Sequence, residues 1–166
     1  MIRKDDFSRL EINLAGCLDN YKYFRSRLEA STKLLVLVKA NAYGHGAVEF
    51  ASLMEEAGAD YLAVALPVEG VELREAGIKS PIMVLTAGTD FFNEIIDNEL
   101  EPGIPNIYSL KALCDVLQKR GVKDFPIHIK LDTGMHRLGF MTEELDELTA
   151  FLKDCSYVNV KSVYSH

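Results

Sequence analysis

The sequence predicts an α/β fold of the (β/α)8 TIM-barrel type, truncated to about six β/α units. Three observations predict it. Short apolar runs alternate with amphipathic stretches six times along the chain. The runs are continuously apolar, which marks strands buried on both faces, as in a parallel sheet covered by helices. No GxGxxG or GxxxxGK[ST] follows the first run, which weakens the alternative, an open doubly wound sheet that binds nucleotides.

The elements follow in order. Residues 14–28, LAGCLDNYKYFRSRL, place Leu14, Cys17, Leu18, Tyr21, Phe24 and Leu28 three and four apart, an amphipathic helix. KLLVLVK (33–39) is too short for a helix and reads as a buried strand. GAVEFASLMEEAGA (46–59) is helical and stopped by Gly58. YLAVAL (61–66) is the second strand, and PVEGVELREAG (67–77) a helix with Pro at its start and Gly at its end. PIMVLT (81–86) is the third strand, followed by a short helix over 90–98 and at most a brief strand in 100–106. Ser109 opens a helix over 109–121, and FPIHIKLDT (125–133) is a strand. Thr142 opens the last helix, 142–155, and VNVKSVYSH (158–166) is the last strand.

A complete barrel takes about 250 residues. This chain has 166 and stops on a strand with no helix to cover it. The expectation is one partial barrel domain over 1–166, with no linker, repeat or low-complexity segment inside it.

Composition bounds the function. The chain is 48% apolar and 26% charged, normal for a globular domain with a real core. A net charge of −7 argues against nucleic acid and against an anionic membrane, both of which want a basic patch. Cys17, Cys114 and Cys155 are widely spaced and show no metal-type pattern, so they read as free buried thiols in a reducing compartment. No signal peptide is visible at the N-terminus, and no run reaches the ~18 apolar residues of a membrane span. A cytoplasmic protein is expected, with no metal.

In a barrel the C-terminal ends of the strands form the active face. Lys39 ends the first strand. His128, Lys130 and Asp132 share one face of the fifth by two-residue alternation. His136 and Arg137 lie in the turn after it, and His166 ends the sixth strand. Each has a plain reading. Lys39 alone would be a solvated strand-end charge, His128 a barrel-wall residue, His45 and His136 exposed loop residues, and His166 a frayed end. Together they put several ionisable groups on one rim. Lys39 also has a chemical reason to be there. A lysine flanked by apolar residues is desolvated, which favours its neutral amine, and a neutral amine on a rigid strand end can form a Schiff base with a carbonyl. That carbonyl could belong to a substrate, as in an aldolase, or to pyridoxal 5′-phosphate (PLP).

VKANAYGHG (38–46), KLDTGMHRLGF (130–140) and the closing SH (165–166) together resemble the alanine racemase family. LEINL…N (10–20), ADYLAVALPVEGVELREAGI (59–78) and PIMVL (81–85) fit the same pattern in the same order, so the resemblance covers essentially the whole chain. AGCLDN departs slightly, at Gly16-Cys17, where the family more often has Ala-Leu.

The resemblance implies an isomerase that interconverts L- and D-alanine with PLP and supplies bacterial peptidoglycan synthesis. It implies that Lys39 carries PLP and is one of two proton-transfer bases. Tyr43 would reach the cofactor phosphate, Leu85 would line the cofactor site, and Arg137 would donate to the phenolic oxygen. His166 would lie near the pyridine ring and orient a further arginine. Lys130 matches a position where the family often has a carbamylated lysine. Adding CO2 there would turn a repulsive Lys130–Arg137 pair into an attractive one. The second base would come from the partner subunit of a homodimer, in a C-terminal β domain that this chain lacks, so this chain alone is expected to be inactive. Rival readings are an amino-acid decarboxylase or PLP-carrier protein of the same barrel fold, a cofactor-free Schiff-base aldolase, and a binding fragment without activity.

Overall fold

A computed structural model describes residues 10–166. Helix α1 (Leu14–Ser26) starts where the Asn13 side chain accepts a bond from the Gly16 N–H at 3.1 Å. The units that follow are β1 (Leu35–Leu37), α2 (Ala47–Glu56), β2 (Tyr61–Val64), α3 (Pro67–Glu75), β3 (Ile82–Val84), α4 (Phe92–Asp97), β4 (Glu101–Ile104), α5 (Ile107–Arg120), β5 (Phe125–Lys130), α6 (Leu145–Asp154) and β6 (Val158–Tyr164). Single 3-10 turns, Thr89–Phe91 and Thr142–Glu144, lead into α4 and α6.

All neighbouring strands are parallel, and the sheet order is β1-β2-β3-β4-β5-β6. The order never reverses, so the sheet has no switch point of the doubly wound kind. It is a run of consecutive β/α units of a barrel. The sequence expectation of a barrel-type parallel sheet is met.

Alternation divides each strand between two environments. Leu62, Val64, Ile82, Val84, Ile104, Ile127 and Ile129 are fully or almost fully buried. They pack in one core with Met54, Leu73, Ile95, Leu113 and Leu117 of the helices. The opposite face carries Glu101, His128 and Lys130, all buried and all polar. A bulge in β6, where His128 pairs with Ser162 after Ile127 pairs with Val160, keeps Ser162 and Tyr164 on the polar face.

Several boundaries differ from the sequence expectation. β1 is shorter than 33–39, because four residues after Lys39 turn left-handed and end the extended backbone. α5 opens at Ile107 rather than Ser109, because Asn106 is the cap: its side chain accepts from the Ser109 N–H at 2.8 Å. Thr142 begins a 3-10 turn, not α6. The Glu144 carboxylate accepts from the Met141 N–H at 2.7 Å and defers the helix to Leu145. β5 stops at Lys130, three residues early, because the chain then folds back on itself. The thiols are less enclosed than expected: Cys114 is buried, but Cys17 and Cys155 are half-buried. No helix among the described residues is long and apolar enough to cross a membrane.

Candidate active site

The C-terminal ends of the strands open on a cavity of about 590 Å³. Lys39, Leu85, Lys130, Arg137 and His166 all line it, so the residues expected on one rim share one cavity. Leu35, Leu37 and Leu138 supply apolar wall.

Lys39 enters from an unusual backbone. Ala40, Asn41, Ala42 and Tyr43 all have φ between 50° and 55°, a left-handed turn without a single glycine. Each non-glycine residue there costs about 1–2 kcal/mol. Gly44 ends the turn at φ 90°. The His45 ring is spent on the same turn, its Nδ1 lying 2.8 Å from the Ala42 carbonyl oxygen. Tyr43 is 59% exposed and lies outside the cavity lining. Lys39 is only half-buried. The enclosure expected for it from its apolar neighbours belongs instead to Lys130.

Lys130 is buried, at 7% exposure. Its ammonium is held below the ordinary lysine range, first by burial and then by the Arg137 charge, with Asp132 opposing. The Tyr164 ring lies 4.7 Å from its Nζ, a cation–π contact that returns part of the lost solvation. Tyr164 fits there because Gly103 faces it from β4. A Cβ at Gly103 would come within contact-breaking distance of the Tyr164 hydroxyl. Burial pushes the Tyr164 phenol up to about 12.

Arg137 reaches the cavity because the loop after β5 doubles back over the strand end. The Phe140 N–H donates to the Lys130 carbonyl at 2.8 Å, and the Asp132 N–H to the Phe140 carbonyl at 2.9 Å. Only glycine fits at 139, since a Cβ would lie 2.5 Å from the Leu131 carbonyl carbon. Asp132 is not in the lining of that cavity; it lines a second, smaller pocket that shares Lys130, Arg137 and His166. Its Oδ1 accepts from the Gly134 and His136 N–H groups at 2.9 and 3.0 Å, and these bonds hold its carboxyl below the usual range. His136 is exposed beside it.

His128 lies one layer below Lys130. Its Nε2 is 2.9 Å from Glu101 Oε2, and its Nδ1 is 2.7 Å from the Ser162 hydroxyl. The Tyr61 hydroxyl donates to the same Glu101 oxygen at 3.2 Å. This polar floor satisfies its own groups and supports the layer above. Sequence reading missed Glu101, Tyr61 and Tyr164. Tyr164 had a visible signal, two residues before His166 on one strand. Glu101 had none, since its partners arrive from other strands.

The alanine racemase N-terminal domain pattern matches residues 12–166. The chain belongs to that family. An alanine racemase of Synechocystis sp. is 38% identical over 159 residues, covering 95% of this chain and 42% of the relative. One from Clostridium perfringens is 42% identical, covering 94% and 40%. Among solved structures, the alanine racemase of Clostridium difficile superposes with a TM-score of 0.85 at 34% identity, covering 90% of this chain and 40% of that one. That of Bacillus anthracis with bound L-Ala-P gives 0.82 at 29%, covering 92% and 40%. This alanine racemase-family chain thus spans about two-fifths of the length of the relatives it matches.

Proposed function

We propose that this chain is the PLP-carrying barrel portion of an alanine racemase, completed in the whole protein by the rest of the barrel and a C-terminal β domain. The observation that carries the reading is the shared cavity. Lys39, Lys130, Arg137 and His166 meet there on strand ends and on the loop that covers one of them. The relatives support alanine over the decarboxylase, carrier and aldolase readings, because all those described above are racemases.

The residues fit PLP by their chemistry. Lys39 offers an amine to its aldehyde. Arg137 offers a guanidinium to its phenolic oxygen. Leu35, Leu37 and Leu85 offer apolar wall to its ring. Tyr43 lies outside the cavity lining, its ring centroid 5.9 Å from Lys39 Nζ. When bound, PLP supplies the electron sink that makes the substrate Cα–H acidic. The protein must then hold the substrate and move a proton at each face. Lys39 Nζ would take and return the proton on one face. The other face requires a base outside this chain, supplied by the partner subunit of a homodimer. Arg137 would orient the ring through its phenolic oxygen. Lys130, as a carbamate, would hold that guanidinium by charge-assisted hydrogen bonds.

The test is racemisation of L-alanine by the whole protein with PLP, read as D-alanine formed. Lys39→Ala is expected to abolish covalent PLP capture and to lower turnover by more than the roughly 10²–10⁴-fold of a general base alone. Lys39→Arg is expected not to rescue, since a guanidinium stays protonated. Near-normal turnover in Lys39→Ala would return Lys39 to a strand-end charge.

A further inference from the structure

We propose that Glu69 is a positioning residue for Lys39: its carboxylate ties the left-handed turn to the start of α3 and so fixes where the Lys39 side chain starts. The inference rests on the reading of Lys39 as the reacting amine.

Glu69 Oε2 accepts from the Ala65 and Leu66 N–H groups at 2.7 and 2.9 Å. That is the ordinary duty of a glutamate in the first turn, capping its own helix α3. The other oxygen does something a cap does not need. Oε1 leaves the helix and accepts from the Ala40 N–H at 2.6 Å, across 29 positions of sequence. Ala40 follows Lys39 and is the first of the left-handed residues.

A backbone of that kind persists only where its surroundings over-determine it. The next residue of the turn is tied as well. Asn41 Oδ1 accepts from the Ala47 N–H at 2.7 Å, at the start of α2. Asparagine is among the residues that tolerate left-handed backbone. So one side chain fastens the turn to α2, and a carboxylate fastens it to the start of α3. Lys39 has a long flexible stem, and the part the fold can fix is its backbone. Glu69 is the group that fixes it from outside the turn. Its bonds carry a full charge, which makes them stronger than neutral ones.

Glu69→Gln separates the two duties. Glutamine has one acceptor oxygen and one NH2 donor. If the oxygen keeps the Ala65 and Leu66 cap, the NH2 faces the Ala40 N–H, donor against donor. In the whole protein without PLP, hydrogen exchange at the Ala40 amide is expected to speed about 10- to 100-fold, the worth of one charged hydrogen bond. Exchange at Leu66 should stay near that of the parent. Lys39 acylation by acetic anhydride at one fixed pH, read on the peptide by mass, should change in rate, because the side chain no longer starts from a fixed backbone. With PLP and alanine, kcat should fall with KM little changed. Should Glu69→Gln not fold, Glu69→Asp serves, since a side chain one methylene shorter cannot reach both sets of amides. Ala40 exchange and Lys39 acylation matching the parent in the folded variant would overturn the proposal. Turnover surviving in Lys39→Ala would instead overturn the reading of Lys39, and leaves those two measurements to decide Glu69 separately.

Discussion

Arg137 Nη2 donates to His166 Nδ1 at 3.2 Å. A guanidinium only donates, so that imidazole nitrogen presents its lone pair, and the neutral ring carries its proton on Nε2. The bond joins the loop after β5 to the end of β6, beside the backbone bond in which the Leu131 N–H donates to the Tyr164 carbonyl at 2.8 Å. Arg137 is therefore aimed before any ligand arrives, which lowers the ordering cost of binding.

From this follows the first expectation. His166→Phe keeps a ring but removes the acceptor, and should weaken PLP binding by about tenfold, the lower end of a hydrogen bond to a charged group. Arg137→Lys should also bind more weakly, because an ammonium lacks the planar fork that spans two acceptors. A PLP titration followed by intrinsic fluorescence measures both. Parent-like affinity in both variants would take the pair out of the cofactor site.

The Lys130–Arg137 repulsion yields the second. Burial and the Arg137 charge both favour a neutral Lys130 amine, and a neutral amine is the form that adds CO2. Bicarbonate should therefore raise the melting temperature of the whole protein, and Lys130→Met should be insensitive to it. With isotope-labelled bicarbonate, a carbamate carbon resonance should appear in the parent alone. Its absence from the parent at saturating bicarbonate would exclude the carbamate.

Much of this was legible in the sequence, and the illegible part has a physical pattern. The β/α rhythm could be read because fully buried strands and amphipathic helices have different periods. Lys39, Lys130, Arg137 and His166 could be placed on one rim because strand ends in a barrel converge. The left-handed turn could not be read. Ala-Asn-Ala-Tyr has no glycine to announce positive φ, and its conformation is imposed by Glu69 and Asn41 through bonds to distant backbone. Asp132 does sit with Lys130, Arg137 and His166, but alternation past the strand end could not show that two turn amides claim its carboxylate. Glu101 escaped because its partners, Tyr61 and His128, come from two other strands.

The half-buried tyrosines give the third expectation. The Tyr61 phenol is pushed up to about 12 by burial first and then by the charge of Glu101, and Tyr164 to about 12 by burial. An ordinary tyrosine ionises near pH 10. Below that both states keep their protons, and the contribution of these phenols to stability is complete. Between about 10 and 12 the unfolded chain loses protons that the folded one retains, so stability falls as pH rises. Denaturant unfolding across that range should show it. Glu101→Gln removes the charge and should move one tyrosine of the late-titrating class downward in tyrosinate absorbance. An unmoved titration curve would mean that Tyr61 does not feel Glu101.

The last expectation concerns Lys130 and needs no cofactor. Its folded pKa is lowered, whereas an unfolded lysine titrates near 10.4. Below the lowered value both states are protonated, and the folded protein bears the whole penalty of a buried cation beside Arg137. Between the lowered value and about 10.4, the folded lysine has released its proton and the unfolded one has not. The unfolded state binds more protons there, so stability rises with pH. Above about 10.4 the penalty is gone. Lys130→Met fills similar space without a charge, so it should melt higher than the parent at neutral pH in bicarbonate-free buffer. Each kcal/mol relieved is worth about 2–4 °C in a protein of this size. The gap should close as pH rises through that window. Lys161→Met is the control: Lys161 is exposed on β6, so its variant should track the parent at every pH. A Lys130→Met variant that melts lower than the parent at neutral pH would show that the Tyr164 contact outweighs the burial and the Arg137 repulsion, and that the folded protein prefers this lysine charged.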